Sequence, residues 1–393
     1  MYKRITNLGI LIFSIGIVLS PASKLRFANS ALGIGEIFIL ISIFLGFLTF
    51  LSKPVISYKS WSSNKKAYVK FWFSSFFLLM IGTVNCFLIG KLDGGSTLHN
   101  FAAFVFVFLS FFFFIFFYND SFNQNFKNLL LFFTNASGVF FLLIFYILIS
   151  KKENFYGYDM YFELRFSGFS MNPNQLAFSC LPLPFLSILY FKSSNSNVSR
   201  IWYVTTLFAV ILVGLATLSD ALIISWIFGF FTFYYFNNLK NIFNKSLNSK
   251  LKTLIITSII LVCSLLFVSE VRNQISEIYG NDVTNSQGSD RLLYWKNAMI
   301  AFAYSPIFGL GPGSYSGAKP FGKEEAHNSI LDWLVSTGII GLVLLSVLLI
   351  NKWKYLIDSM HPEYPSIFVT LLFFSMFHLT LRHLSFWMII LFL

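Results

Sequence analysis

Long apolar segments recur along nearly the whole of this 393-residue chain, and they restrict its fold more than any other feature. Several approach the roughly 20 residues that cross a bilayer as a helix. Because lipid offers no hydrogen bonds, each segment must satisfy its own backbone groups, which an α-helix does. The sequence therefore predicts an all-α integral membrane protein, a polytopic bundle of about twelve helices forming one domain over residues 1–393. The segments run approximately over residues 5–19, 32–52, 68–90, 98–118, 129–149, 174–191, 201–218, 221–236, 252–269, 328–350, 364–381 and 384–393.

Composition argues against a soluble protein. Only 11% of the residues are charged and 20% are aromatic, whereas an average soluble domain has roughly 25% charged residues. The formal net charge of +12 would suggest nucleic acid in a soluble protein, but basic cytoplasmic loops account for it in a membrane protein. We therefore expect the lipid bilayer, and no nucleic acid, as a partner. Many apolar segments follow residues 5–19, which predicts a first membrane helix rather than a cleaved signal peptide.

Basic residues are concentrated in alternate loops. If the N-terminus is cytoplasmic, the loops predicted to lie inside carry a large excess of positive charge, and the outer loops are nearly neutral. The basic residues predicted inside are Lys3, Arg4, Lys53, Lys59, Lys65, Lys66, Lys70, Lys127, Lys192, Arg200, Lys240, Lys245, Lys250, Lys252, Lys352 and Lys354. This is the positive-inside pattern, and it predicts a multi-pass chain with a cytoplasmic N-terminus.

Two long loops fall on the outer side in this orientation, residues 150–173 and 270–327. A structureless loop of more than about 12–15 residues is usually either functional or disordered. Within the second loop, residues 290–304 predict an amphipathic helix at the interface. The sequence PIFGLGPGSYSG that follows (306–317) predicts sharp turns. We expect any chemistry to lie in these two loops.

Arg165 is the first candidate site residue, because it lies just before a predicted membrane helix. Asn172 and Pro173 fit the N-cap and first helical position, and Asn172 and Asn174 are candidate substrate-binding residues. An Arg beside a helix N-terminus forms an anion site. The alternative is an interfacial Arg that extends its charged end to water.

Arg291 is the second candidate, followed closely by Tyr294, Trp295 and Lys296. Its guanidinium suits a diphosphate, and the neighbouring rings suit stacking on a sugar. These three neighbours are predicted to bind substrate. The alternative is a surface pair of Asp290 with Arg291, which would contribute little energy.

His327 and Asn328 open the tenth apolar segment, where the large outer loop meets the membrane. A neutral His here suits a general base, because its ordinary pKa of roughly 6.5 lies near neutrality. The alternative is a His that only caps the helix. Asp332 lies five positions further, and an acid at membrane depth is a functional candidate. It either orients His327 or pairs with an Arg, and we count Asn328 and Asp332 among the substrate-binding candidates.

Patterns typical of metal and nucleotide chemistry are missing from the sequence. No Asp-X-Asp pair or phosphate-binding Gly-rich motif occurs, and Ser219-Asp220 fits a simple turn. The remaining histidines show no metal-ligand spacing: His99, His361, His378 and His383. The cysteines all lie in apolar segments, without a disulfide or metal pattern: Cys86, Cys180 and Cys263. We therefore expect diphosphate binding by Arg, with neither metal nor cofactor.

Three blocks, in order, resemble the O-antigen polymerase and ligase superfamily of bacterial membrane proteins. They are RFSGFSMNPNQLA (165–177), DRLLYWKNAMIAFAYSPIFGLGPGSY (290–315) and HNSILDWLVSTGIIGL (327–342). The last fits the family pattern of His-Asn, nine residues and Gly-X-X-Gly through His327, Asn328, Gly338 and Gly341. The other helices match only in hydropathy and number. Many relatives, ligases especially, carry Ser-Arg where this chain has Ser219-Asp220, so no role is carried over to that turn.

The resemblance implies a metal-independent glycosyltransferase of the bacterial inner membrane with a periplasmic active site. Its donor would be an undecaprenyl-diphosphate-linked oligosaccharide. Arg165 and Arg291 would hold the diphosphate, and His327 would activate the acceptor hydroxyl. A chain-length regulator is a further partner that the family implies, and no cofactor is implied.

Two activities share these blocks and differ in the acceptor. A polymerase extends the glycan with another lipid-linked repeat unit, whereas a ligase transfers the glycan to lipid A-core. The sequence SGFSMNPNQLA and the Phe-rich helices favour the polymerase. A flippase for lipid-linked sugars would place charged sites near the bilayer midplane in repeated halves, and the candidates here lie in outer loops. A scaffold subunit would use the same loops as contact surfaces.

Overall fold

The computed structural model describes residues 2–27, 32–52, 63–118, 122–242, 282–359 and 361–392. In these ranges the chain is an all-α polytopic membrane protein, and seven helical spans there are long and apolar enough to cross a membrane. The helices are α1 (Tyr2–Leu19), α2 (Ile34–Ser52), α3 (Ser63–Leu88), α4 (Gly94–Phe117), α5 (Phe122–Ile149), α6 (Pro173–Cys180), α7 (Leu183–Ser193), α8 (Asn197–Ala216), α9 (Asp220–Ile242), α10 (Asp282–Phe302), α11 (Ser329–Ile357), α12 (Glu363–Ser375) and α13 (Leu384–Phe392).

Several element boundaries differ from the predicted ones. The predicted segment 174–191 is two helices, α6 and α7, because Pro182 and Pro184 remove backbone donors in mid-segment. The segment 364–381 stops being helical at Ser375. Helix α10 extends the predicted interfacial helix 290–304 towards the N-terminus. The predicted segment 252–269 and residues 270–281 of the second loop lie outside the described residues.

The loop of residues 150–173 contains two small antiparallel hairpins. The first pairs β1 (Asn154–Phe155) with β2 (Tyr158–Asp159), and the second pairs β3 (Tyr161–Phe162) with β4 (Arg165–Phe166). The hairpins satisfy backbone groups that a structureless loop would leave to water. They also place Arg165 on a strand rather than on a free loop.

Aromatic side chains fill the centre of the bundle. Trp72, Trp333 and Trp387 come from α3, α11 and α13, and all three are fully buried. The ring centroids of Trp72 and Trp387 lie 4.9 Å apart, and those of Phe71 and Trp333 lie 5.8 Å apart. Buried aromatic pairs contribute about 0.5–1.5 kcal/mol each beyond the area that they bury. This cluster joins the last helices of the chain to the early ones.

Loops that alternate along the chain meet at one end of the bundle, here called the loop end: residues 20–27, 90–93, 150–172, 217–219, 303–328 and 376–383. Lys24 donates to the Gly168 carbonyl (3.1 Å), and Lys323 pairs with Asp93 (3.3 Å). At the opposite end Lys192 pairs with the buried Glu363 at 2.8 Å. Consecutive spans therefore bring their loops to opposite ends in turn.

Helix α11 is broken at Gly338, where the backbone adopts φ 69° and ψ −171°. The break leaves carbonyls before it and N–H groups after it without partners inside the helix. Residues 306–311 supply those partners. The four hydrogen bonds run from Leu310 N–H to the Val335 carbonyl (2.9 Å), from Gly311 N–H to the Ser336 carbonyl (2.9 Å), from Ile339 N–H to the Pro306 carbonyl (2.9 Å) and from Ile340 N–H to the Ile307 carbonyl (3.4 Å).

Glycines make this close backbone contact possible. A Cβ atom on Gly338 would lie 2.1 Å from the Ile307 carbonyl oxygen, and one on Gly309 would lie 2.4 Å from the Ser336 carbonyl. A Cβ atom on Gly82 of α3 would lie 2.2 Å from the Gly311 nitrogen. The segment 306–311, which follows α10, is therefore packed between α3 and the broken helix and is joined to α11 by backbone hydrogen bonds.

Candidate active site

Arg165 lies on β4 and reaches the N-terminus of α6. Its Nε atom donates to the Thr217 carbonyl (2.9 Å), and its Nη2 atom donates to the Asn174 side-chain oxygen (2.8 Å). The predicted cap is confirmed: the Asn172 side chain accepts the Asn174 N–H, with Pro173 at the first helical position. Asn172 therefore caps the helix, and Asn174 orients the guanidinium. The half-buried Arg165 is held by three chain segments.

Arg291 lies on α10 and faces the same region. Its guanidinium carbon is 6.0 Å from the centroid of the Phe377 ring, within the range of a cation–π interaction. Burial lowers the pKa of Arg165, Asp220 opposes that shift, and the positive charge of Arg291 lowers it further. The two guanidiniums are therefore electrostatic neighbours, which is the arrangement that a bound polyanion would stabilise.

The three residues predicted to bind substrate beside Arg291 on α10 have different surroundings. The Tyr294 ring stacks on the His327 ring, with centroids 6.1 Å apart and planes inclined by 25°. The Trp295 indole N–H donates to the Ala326 carbonyl (3.0 Å), so this ring supports the backbone beside His327. Lys296 is exposed and lies about 140° around the helix from Arg291. Tyr294 and Trp295 therefore lie on the side of α10 that meets residues 326–327, and Lys296 lies on another side.

His327 immediately precedes the N-cap of α11. Its backbone has a φ of 53°, in the left-handed region. Asp332 accepts hydrogen bonds from the backbone N–H groups on either side of His327, those of Ala326 (2.9 Å) and Asn328 (3.4 Å). Asp332 therefore holds the backbone on both sides of His327. The Asn328 side chain accepts from Ile330 N–H and caps the helix.

The electrostatic surroundings of His327 favour the neutral imidazole. Burial is the main influence and lowers the pKa of His327; the Glu325 carboxylate raises it, and the positive charge of Arg291 lowers it. Glu325 is itself paired with Arg382. A neutral imidazole has a lone pair available, so it can accept a proton from a hydroxyl near neutral pH.

The link between α12 and α13, residues 376–383, forms a third wall that the sequence analysis did not predict. It carries Phe377 against Arg291 and Arg382 against Glu325. It also carries His378, whose electrostatic neighbours are Arg291, His327 and Arg165. His378 was set aside because it lacks metal-ligand spacing. The sequence pattern that indicates a site here is the group of three basic side chains at positions 378, 382 and 383, between two apolar runs.

Asp220 is the other addition to the predicted site. The sequence pattern favours a simple turn at Ser219-Asp220, and Asp220 does begin α9. Its carboxylate is also an electrostatic partner of Arg165. Within the described residues, no three or more His, Cys, Asp or Glu side chains form a group that could hold a metal ion.

The arrangement combines two guanidiniums with a neutral imidazole at the loop end of a membrane bundle. Planar guanidiniums bind phosphate oxygens in a bidentate manner. A site partly shielded from water strengthens such contacts. The site is therefore suited to hold an anionic group while an adjacent base accepts a proton.

A comparison with known protein families matches residues 174–346 to the O-antigen ligase family. The matched range is less than half of the chain; it includes Arg291 and His327, and it begins shortly after Arg165. It also contains the broken part of α11 and the segment 306–311 that packs against it. No curated protein matches the sequence.

Proposed function

We propose that this protein is an O-antigen polymerase, because residues 174–346 match the O-antigen ligase family and three sequence blocks resemble the polymerase and ligase superfamily. In this proposal the protein joins undecaprenyl-diphosphate-linked repeat units on the periplasmic face of the bacterial inner membrane. The observation that supports it most is the convergence of Arg165, Arg291 and His327 from three separate parts of the chain.

The donor is a glycan chain on undecaprenyl diphosphate that reaches the site from the bilayer. Its diphosphate lies between Arg165 and Arg291. His327 takes the proton of the acceptor hydroxyl, whose oxygen forms a bond to the anomeric carbon as the bond from that carbon to the diphosphate oxygen breaks. The departing diphosphate gains negative charge in the transition state, so guanidiniums already in place stabilise that state more than the ground state. The reaction as proposed uses neither a metal nor a nucleotide.

Ligase activity is the second candidate, because the matched family is described as O-antigen ligase. The same residues would then act on the same donor, with lipid A-core as acceptor. The sequence of residues 167–177 and the Phe-rich helices favour the polymerase. A chain-length regulator is a proposed partner of the polymerase.

The central experiment removes each site group and follows long-chain polysaccharide. We expect Arg165→Ala, Arg291→Ala and His327→Ala each to abolish the ladder of long chains in lipopolysaccharide at normal protein abundance. Normal ladders in these variants would refute the proposal.

Matched controls lie at the other end of the bundle. Arg200 also places its guanidinium carbon 6.0 Å from a Phe ring centroid, that of Phe191, and His361 packs 5.1 Å from Tyr364. Arg200→Ala and His361→Ala should keep the ladder, because they remove the same groups outside the site.

A deletion strain separates the two activities. Core lipopolysaccharide that still carries a single repeat unit indicates the loss of a polymerase. Bare core, with long lipid-linked chains accumulating, indicates the loss of a ligase.

A further inference from the structure

His378 has an unusual environment for a histidine. Its Nε2 atom is buried, and within the described part of the chain no hydrogen-bond partner reaches it. A buried polar atom without a partner is destabilising, so a hydrogen-bond partner for this nitrogen is to be expected. Burial also lowers the pKa of His378 well below its ordinary value, and the charges of Arg291, His327 and Arg165 lower it further.

The position of His378 is fixed from two directions. The Ser329 hydroxyl donates to the His378 carbonyl (2.6 Å), and the Ser329 hydroxyl oxygen accepts the Thr380 N–H (2.7 Å). Ser329 is the first residue of α11, two positions after His327. The His378 ring packs against Phe374, with centroids 4.6 Å apart. The chain segment that carries His378 is therefore bonded directly to the start of the helix that follows His327.

The neighbours of His378 indicate what its free nitrogen would bind. Arg291, Arg165 and His327 are its electrostatic neighbours, so its unpartnered nitrogen lies in a region of positive potential. An anion is the ligand that such a region attracts most strongly. An anion bound there also favours a proton on Nε2, because the positive imidazole or the N–H tautomer then points at negative charge.

We propose that His378 is a further substrate-binding residue, whose Nε2 atom donates a hydrogen bond to the diphosphate held by Arg165 and Arg291. This inference rests on the proposed function of the same site. It assigns to the link 376–383 a direct contact with the donor. The donor diphosphate is then bound by residues from β4, from α10 and from the α12–α13 link.

The test uses binding by the purified full-length protein in detergent, with geranylgeranyl diphosphate as the probe and geranylgeranyl monophosphate for comparison. His378→Phe keeps an aromatic ring against Phe374 and removes both nitrogens. We expect it to weaken binding of the diphosphate about 10- to 100-fold, the range for a lost hydrogen bond to a charged group. Binding of the monophosphate should weaken less, and His378→Gln should restore part of the affinity, since an amide can donate.

The matched control is His383→Phe. His383 lies in the same link, is half-buried, and has its ring centroid 4.9 Å from that of Phe178. The His383→Phe variant should bind geranylgeranyl diphosphate as tightly as the wild type does. Size-exclusion and thermal-unfolding profiles verify that each variant is folded, and His378→Met replaces His378→Phe if the Phe variant is not.

The outcomes separate the inference from the function on which it rests. If the folded His378 variants bind the diphosphate as tightly as the wild type, His378 only packs, and the inference is overturned while the proposed function stands. If the wild type does not bind the diphosphate, the inference and the proposed function both fail. They also both fail if Arg291→Ala binds the diphosphate as tightly as the wild type does.

Discussion

His327 has a left-handed backbone conformation that residues other than glycine rarely adopt. Conformations of this kind carry a strain of about 1–3 kcal/mol and persist only where surrounding contacts enforce them. Here the Asp332 carboxylate binds the backbone N–H on each side of His327. The direction in which the imidazole points is therefore set by an acid that does not need to contact the substrate.

Replacing Asp332 should separate positioning from binding. We expect Asp332→Ala to lower kcat by roughly tenfold or more, since a misplaced base is inefficient, with little change in donor affinity. Asp332→Asn should be milder, because its remaining oxygen accepts one of the two N–H groups. Steady-state kinetics with lipid-linked repeat units measures both constants. A large rise in KM at unchanged kcat would contradict the positioning role.

The acid limb of the pH–rate profile should report His327. Burial lowers the pKa of this imidazole and Glu325 raises it; the base form is active, so kcat/KM rises as pH increases through the lowered pKa. Glu325→Gln removes the negative charge and leaves Arg382 unpaired, and both changes lower the pKa. We expect the acid limb of this variant to shift to lower pH. A shift to higher pH would show that another group titrates.

Sequence reasoning about single residues identifies polar candidates in predicted loops and misses polar residues inside apolar runs. Arg165, Arg291 and His327 stand out in the sequence because they lie in the two long stretches between apolar segments. His378 was hidden, because hydropathy averages it into a segment predicted to be helical through residue 381. Lys296 was predicted to bind substrate from its closeness in sequence to Arg291, but the helical rotation between them turns it away.

At the scale of elements, the break in α11 determines how the site is built. The segment 306–311 completes the backbone hydrogen bonds of the helix on both sides of Gly338. The Trp333 indole adds a bond across the break, to the Gly341 carbonyl (3.0 Å). Irregular backbone at this depth is tolerated because protein, rather than lipid, surrounds it.

Gly338→Ala should be far more damaging than an equivalent change elsewhere. Its Cβ atom would meet the Ile307 carbonyl at 2.1 Å, in a backbone with φ 69°. We expect destabilisation of more than about 3 kcal/mol, from steric conflict together with backbone strain. Thermal unfolding in detergent measures the difference from the wild type.

Gly90→Ala is the control for backbone strain alone. Gly90 has φ 67°, and nothing lies within 4 Å of its would-be Cβ atom. We expect a loss of about 1–2 kcal/mol, with activity retained. Equal effects of the two substitutions would show that the contact with residues 306–311 contributes nothing.

The broken helix also marks the limit of prediction for elements. Hydropathy recognised residues 328–350 as a membrane segment, but it cannot register the break, because a glycine leaves the average unchanged. The bonds that compensate the break come from residues about 30 positions earlier in the chain. No local sequence pattern predicts that these residues pair with the broken helix, although the Gly- and Pro-rich sequence of residues 306–317 does indicate sharp turns.

At the scale of the whole molecule, the proposed periplasmic position of the loop end can be tested by labelling. Tyr156 in the first long loop is 88% exposed, and Val198 at the opposite end is 78% exposed. In a Cys263→Ser background, where Cys86 and Cys180 are buried, Tyr156→Cys should react with an impermeant maleimide on intact spheroplasts. Val198→Cys should react only after permeabilisation, and the reverse pattern would overturn the orientation.

The wall formed by residues 376–383 has a consequence for biosynthesis. Ribosomes deliver the chain from its N-terminus, so the segments with Arg165, Arg291 and His327 enter the membrane before this wall exists. Until the last helix pair is inserted, Arg291 lacks Phe377 beneath its guanidinium and Glu325 lacks its Arg382 partner. The proposed site is therefore complete only after the last helix pair has been inserted, when synthesis of the chain is almost finished.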